Sequence, residues 1–432
     1  MRDIILTNVH ILDPGAVDMP GEVTLSGGKI SKVSLSGMRK DKPAGTTIIN
    51  CKGLMLTPGL IDMHVHLRDP GQTHKESIPT GAMAAVKGGF TGVCCMANTN
   101  PVNDNPEVTA YILKEAKRAG LCNVYPISAV TRGLLGNDPV DFAAQKAAGA
   151  GGFSDDGVPV LQSDIMLNAL KAAAEIKLPL ISHCEDYYLT RGKVIVRAGE
   201  IAEHMGLEGV PAATETIMVT RDLFLAEIAG CPIHIAHVST AQSVEAIRQA
   251  KKRGVKVTCE TAPHYFTLTA DAILQHGTNA KMNPPLGSAA DREAVRAALA
   301  DGTIDVIATD HAPHAPAEKS QPFAFAPNGV IGLETALPLS LVLARDNFVP
   351  LNKIIAALSR NPAKILGLEC GIYEGAPANL TLIDPNFSYK IDVTELASKS
   401  RNTPFADMPL TGIAALTIVN GQVVWQNKAV LN

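Results

Sequence analysis

The 432-residue chain carries 38 basic and 42 acidic side chains, a formal net charge of -4, and is 46% hydrophobic with 19% charged residues. Those are the proportions of a globular protein able to bury a large core, and with no long basic run they argue against nucleic acid as the main partner. No stretch is long and apolar enough to cross a membrane, and the start, MRDIILTNVHILDPG, lacks the apolar core and cleavage site of a signal peptide, so the expected location is the cytoplasm.

The first segments, DIILTNVHILDPG and GEVTLSGGKISKVSLSG, alternate apolar and polar residues and read as short antiparallel strands. From Gly59 to Leu368 a different rhythm takes over, in which a short apolar or β-branched run ends in polar residues and an alanine-rich helical stretch follows. Strands are expected at 59–66, 90–98, 123–130, 151–156, 179–185, 232–239, 256–262 and 305–311. Helices are expected between them at 77–87, 107–119, 163–177, 213–229, 241–253 and 292–300, several with Ser, Thr, Asp or Pro near the start and Gly at the end. Eight strands alternating with helices predict an α/β fold, a closed (β/α)8 TIM-like barrel. At the far end, ANLTLIDP and AALTIVNGQVVWQN return to alternation, with Asn420-Gly421 as a tight-turn signal. Neither flank is long enough to bury a good core alone, so the two termini are expected to pair into a small β-sandwich. Its parts are residues 1–57 and 370–432, with the barrel, 58–369, inserted between them. The eight cysteines are scattered without a CxxC pair, which suits reduced core residues rather than a disulfide framework or zinc ribbon.

The polar strand ends carry the chemistry. In GLIDMHVHLRDPG, residues 59–71, strand alternation puts His64 and His66 on one face, with Arg68 following if the chain stays extended. Asn98, Asp155 and Asp156, His183, His237 and Asp310 end later strands, and in a barrel all these ends meet at one mouth. Four histidines and two carboxylates form a nitrogen and oxygen set suited to zinc or a similar first-row ion, sufficient for two ions sharing a bridge. Asp155 and Asp156 cannot both face the mouth, and spacing does not choose between them. His234 falls on the opposite strand face from His237 and is expected to pack against a helix, while His311 should point away from the mouth. His10, His74, His204, His264 and His276 lack a partner at ligand spacing and are expected in loops or at the surface. The stretch between Asp310 and Gly329, HAPAEKSQPFAFAPNG at its core, has no periodicity and reads as a lid beside the mouth.

DMHVHLRDPG, GGFSDDG, SHCED, HIAHVST, KMNPPL and ATDHAPH occur in this order, and with them the chain resembles the amidohydrolase superfamily. Within it, the chain is similar to the dihydroorotases of the longer, bacterial type I class. The resemblance implies that His64, His66 and Asp310 bind one Zn2+ ion, that His183 and His237 bind a second, and that Asp156 bridges them. It implies substrate contacts from His66, Arg68, Asn98, Asn283 and His314, with backbone near Asn328 and Gly329 closing over the ring. The implied activity is the reversible cyclisation of N-carbamoyl-L-aspartate to L-dihydroorotate in de novo pyrimidine synthesis, by a zinc-bound hydroxide with Asp310 as proton shuttle. A homodimer and a complex with aspartate transcarbamoylase are the implied assemblies, with neither membrane nor nucleic acid as a partner.

Two other readings compete. Another cyclic-amide hydrolase, such as a hydantoinase, dihydropyrimidinase or allantoinase, would share the metals and differ in its substrate contacts. Hydantoinase-like relatives, however, bridge their metals with a carboxylated lysine, and GAGGFSDDG has no lysine. A non-catalytic partner of aspartate transcarbamoylase would be expected to have lost ligands, and none of the six is missing here.

Overall fold

The computed structural model describes residues 3–35 and 45–431, so Met1, Arg2 and the Ser36-Gly37 end of the second flanking segment lie outside the described residues. The chain opens with β1 (Ile4–Asp13), β2 (Val17–Ser26), β3 (Lys29–Ser34), β4 (Thr47–Asn50) and β5 (Met55–Pro58). The barrel strands follow as β6 (Leu60–Val65), β7 (Phe90–Cys95), β8 (Asn123–Ser128), β9 (Gly152–Phe153), β10 (Ile181–Ser182), β11 (Ile233–Ile235), β12 (Val257–Thr261) and β13 (Val306–Ile307). The chain ends with β14 (Leu380–Lys390), β15 (Pro409–Val419) and β16 (Gln422–Gln426).

β6 to β9 pair in sequence order, as do β10 to β13. Parallel bridges from Phe153 to Leu180 and from Val65 to His311 join the two sets, so the eight strands close into a TIM barrel. Met63, Cys94, Ile127, Ile181 and Val306, from five of these strands, pack into one buried cluster. Side chains from non-adjacent strands meet in this way only across a filled barrel interior.

The strands are shorter than their apolar runs suggest because the chain leaves extended geometry where the polar residues begin. Arg68 has φ 57°, His237 φ 34° and Asp310 φ 48°. A left-handed conformation at a non-glycine residue costs on the order of 1–3 kcal/mol. It re-aims each side chain, and because the chain does not stay extended as far as Arg68, the condition under which strand alternation would carry Arg68 to the mouth is not met.

The expected helices occur as Ile78–Lys87, Pro106–Ala119, Ser163–Glu175, Ala213–Ala229, Ala241–Lys252 and Ala289–Asp301. Their starts follow the capping logic: Asn105 accepts from Val108 N–H, and Thr240 accepts from Ser243 N–H. Helices Ala336–Arg345 and Leu351–Leu358 were not anticipated. The first buries Leu337, Leu339, Ser340, Leu341 and Leu343 on nearly all sides, which removes the polar face that makes a helix visible in sequence.

The termini meet in one eight-stranded sheet of order β16-β15-β14-β5-β1-β2-β3, with β4 also on β1. The join is antiparallel, pairing Leu382 with Leu56, and Ile11, Leu25, Leu56, Leu382 and Leu416 form a core to which both flanks contribute. Asn420 and Gly421 both have positive φ, 49° and 77°, as the two-residue turn between β15 and β16 requires. All eight cysteines are free. Among the described residues no helix is long and apolar enough to cross a membrane.

Candidate metal centre

The barrel brings His64, His66, Asp156, His183, His237 and Asp310 together from five separate stretches of chain, each at most 7% exposed. Asp156 stands at the middle. His64 Nε2 lies 3.2 Å from its Oδ1, His66 Nε2 3.4 Å from its Oδ2, His183 Nδ1 3.4 Å and His237 Nε2 3.6 Å from its Oδ1. His64, His66 and Asp156 form one group whose ligand atoms converge as a metal requires, and Asp156, His183 and His237 form another. Asp310 Oδ1 is 3.1 Å from His66 Nε2 and 3.6 Å from His64 Nε2. Asp155 is not part of the cluster. Its carboxylate turns away to accept from the Val130 and Thr131 N–H groups and the Thr131 hydroxyl, which settles the choice between the two aspartates.

Three of the four rings are oriented from behind. His64 Nδ1 faces Glu260 Oε1 at 2.7 Å, His66 Nδ1 faces Asn98 Oδ1 at 2.8 Å, and His183 Nε2 faces Glu185 Oε2 at 3.0 Å. An N–H donated outward leaves the opposite nitrogen with its lone pair aimed inward, which is the tautomer a metal ligand needs. Glu260 also pairs with His234 Nε2 at 3.1 Å, and Glu185 accepts from Asn283 Nδ2 at 2.7 Å. Two inward atoms, His64 Nε2 and Asp156 Oδ1, are buried without a hydrogen-bond partner. An orphaned buried acceptor is destabilising unless something else binds it, and a divalent cation fits this set of nitrogen and carboxylate donors.

The electrostatics agree with that fit. Burial pushes the Asp156 carboxyl up, but the charge of His64 and the close approach of the His183, His237 and His64 nitrogens outweigh it and hold the group well below the usual range. Burial likewise opposes ionisation of Glu260, and its hydrogen bonds from His234 and His64 bring it down to about 2.

Above the cluster opens a cavity of about 340 Å³. His66, Arg68, Asn98, Asn283, His314, Asn328 and Gly329 all line it, beside Asp156, His183, His237 and Asp310. Arg68 is 8% exposed, donates from Nε to Pro313 O at 3.2 Å, and has no carboxylate partner among the described residues. Its Nη2 lies 3.4 Å from His314 Nε2, which itself faces Asn328 O at 2.8 Å. Gly329 is required as glycine: φ is 136°, and a Cβ would stand 2.7 Å from Ala312 Cβ.

Two histidines differ from the sequence expectation. For His234, expected to pack against a helix, the polar contacts lie on β12: its Nδ1 meets Thr258 Oγ1 at 2.8 Å and its Nε2 meets Glu260, because a buried ring seeks polar partners. His264 is neither in an exposed loop nor at the surface but 2% exposed near Asp310, and burial pushes it down to about 4. His311 points away as expected, accepting from Gly332 N–H at 3.1 Å. Glu260 and Glu185 were missed. A lone carboxylate in the apolar strand VKVTCETA was the available signal for Glu260.

A family model described as dihydro-orotase-like matches residues 53–243. A dihydroorotase from Geobacter sp. (strain M21) is 48% identical over 426 residues, covering 98% of this chain and 99% of its own. One from Desulforapulum autotrophicum is 48% identical over 419 residues, covering 97% and 98%. Among solved structures, the L-hydantoinase of Arthrobacter aurescens aligns with a TM-score of 0.86 at 25% identity, covering 99% of this chain and 96% of that one. A dihydropyrimidinase from Brevibacillus agri shares the fold, with a TM-score of 0.83 at 21% identity over 99% and 95% of the two chains. With near-half identity to curated relatives along almost its whole length, and the histidine and aspartate cluster at the barrel mouth, the chain belongs to the dihydroorotase family.

Proposed function

We propose that this chain is a dihydroorotase, interconverting N-carbamoyl-L-aspartate and L-dihydroorotate in pyrimidine synthesis, with two zinc ions at the barrel mouth. The observation that carries the reading is Asp156, shared between two histidine pairs beneath a cavity lined by a buried arginine that has no carboxylate partner among the described residues. In this proposal His64, His66 and Asp310 hold one ion, His183 and His237 the other, and Asp156 bridges them. Divalent ions bound there would polarise the ring carbonyl and lower the pKa of water from about 15.7 to roughly 7.

The protein's own groups do the rest. Asp310 is the proton shuttle: in ring opening it accepts the proton of the attacking water and passes it to the departing ring nitrogen, and in ring closure it takes the ureido proton and delivers it to the departing carboxylate oxygen, which leaves as water. Its Oδ1 lies 3.1 Å from His66 Nε2, and the residue lines the cavity that would hold the ring. Arg68 offers the substrate carboxylate a two-pronged cationic partner, with Asn98 and His314 beside it. Asn98 Oδ1 and Asn283 Nδ2 also orient His66 and Glu185, so each asparagine supports the centre as well as facing the cavity. The Asn328-Gly329 backbone closes the cavity over the ring.

The proposal includes the division into a 58–369 barrel and a sandwich built from 1–57 and 370–432. It also includes a homodimer able to join aspartate transcarbamoylase, acting in the cytoplasm. The test is an assay of the zinc-loaded protein on L-dihydroorotate, dihydrouracil and hydantoin. Preference for L-dihydroorotate, lost in turnover on Asp310→Asn with the fold retained, is expected. Preference for either uncharged ring would instead make the protein a hydantoinase-like hydrolase.

A further inference from the structure

The segment that closes the cavity is tied down by two buried lysines that the proposed chemistry does not use. Lys281 is 4% exposed and Lys319 6%. Lys319 Nζ donates to Pro327 O and Gly329 O, each at 3.0 Å, and lies 3.4 Å from Lys281 O. Lys281 Nζ donates to Phe323 O and Ala326 O, each at 2.7 Å, and lies 3.4 Å from Ala324 O. Neither has a carboxylate partner among the described residues. Their acceptors are backbone carbonyls, most of them in the stretch from Phe323 to Gly329, which act as an internal hydration shell.

Burying an ammonium without a counter-ion is expensive, and a methionine of similar length would fill the same space without that cost. Burial pushes Lys281 down to about 8, and burial with the neighbouring Lys281 charge pushes Lys319 to about 7. What the cost secures is shape. A segment without periodicity offers few internal hydrogen bonds, and five carbonyl contacts radiating from two fixed points fold it back over the cavity. Gly329 N–H completes the ring by donating to Lys281 O at 2.9 Å. The charge of Lys319 is also felt at His314, where with burial, Arg68 and Lys75 it disfavours protonation.

We propose that Lys281 and Lys319 are positioning residues for substrate binding, their side chains holding the Phe323–Gly329 backbone and the His314 ring in the closed, substrate-ready arrangement. The proposal rests on the dihydroorotase reading only in taking this cavity as the substrate site. It predicts an effect on binding rather than on chemistry. If loss of one lysine leaves the segment closed in about one molecule in ten, apparent affinity falls about tenfold, while a substrate that has bound meets the same catalytic groups.

The experiment compares wild type with Lys281→Met and Lys319→Met by steady-state kinetics on L-dihydroorotate, metal analysis, and hydrogen exchange resolved to the 311–329 segment. Expected are a KM raised about tenfold, a kcat within about threefold of wild type, an unchanged metal content, and faster exchange confined to 311–329. An unchanged KM, a loss confined to kcat, or faster exchange throughout the barrel would overturn the proposal and leave the lysines a general structural role. Should wild type fail to turn over L-dihydroorotate, the dihydroorotase reading falls. The exchange comparison would still decide whether the lysines hold this segment.

Discussion

Glu260 Oε1 lies 2.7 Å from His64 Nδ1, so a carboxylate on β12 sets the tautomer of a histidine at the end of β6. The contact is fully buried, and His234 holds the far oxygen of the same carboxylate. Glu260→Gln keeps the shape but removes the charge that makes His64 a strong donor. Zinc affinity, measured by competition with a chromophoric chelator, should fall about 10- to 100-fold. Unchanged affinity would separate Glu260 from the metal centre.

The shared carboxylate, Asp156, is encoded in the chain and needs no modification to form. Reconstituting metal-free protein with zinc should therefore restore activity equally with and without added bicarbonate, whereas a carboxylated lysine would need carbon dioxide. Recovery that depends on bicarbonate would rule out an aspartate bridge.

Arg68 is a buried cation with no ion-pair partner among the described residues, facing the cavity beside His314. A ring without a carboxylate leaves it unsatisfied, at a cost of about 1–3 kcal/mol, or roughly five- to 150-fold in selectivity. Arg68→Met should lower kcat/KM for L-dihydroorotate far more than for dihydrouracil. If the ratio between the two substrates is unmoved by the substitution, Arg68 braces the mouth and does not select substrate.

Much of this cluster was legible because polar residues at barrel strand ends leave local signatures. HVH alternation marks His64 and His66, and His183, His237 and Asp310 each follow an apolar run. What was not legible depended on distance in the chain. Glu260 meets His64 from 196 residues away and His234 from 26, so no local pattern links them. The choice of Asp156 over Asp155 rests on Thr131 capturing the latter, a contact across 24 residues. His264 carried no periodic signal, and its burial is a tertiary fact. The left-handed backbone at Asp310, three residues beyond the end of β13, is likewise something strand propensity does not register.

His314 supplies a pH prediction. Burial and the charges of Arg68, Lys75 and Lys319 push it down to about 2, while an unfolded histidine titrates near 6.5. Between these values the unfolded chain holds more protons than the folded one. The stability owed to the neutral ring is therefore complete above a pH of about 6.5 and drains away as pH falls, by up to about 1.4 kcal/mol per unit. His314→Asn lacks this titration, so its melting temperature should fall less steeply than that of wild type between about pH 6.5 and 5. Parallel curves would mean that the ring protonates freely in the folded protein.

Titrating metal-free protein with zinc while following L-dihydroorotate opening tests the bridged two-ion centre most directly. Turnover should be absent before metal is added, rise with bound zinc and level off at two ions per chain, with N-carbamoyl-L-aspartate as the product. Undiminished turnover in metal-free protein, or zinc-loaded protein that leaves L-dihydroorotate untouched, would contradict it.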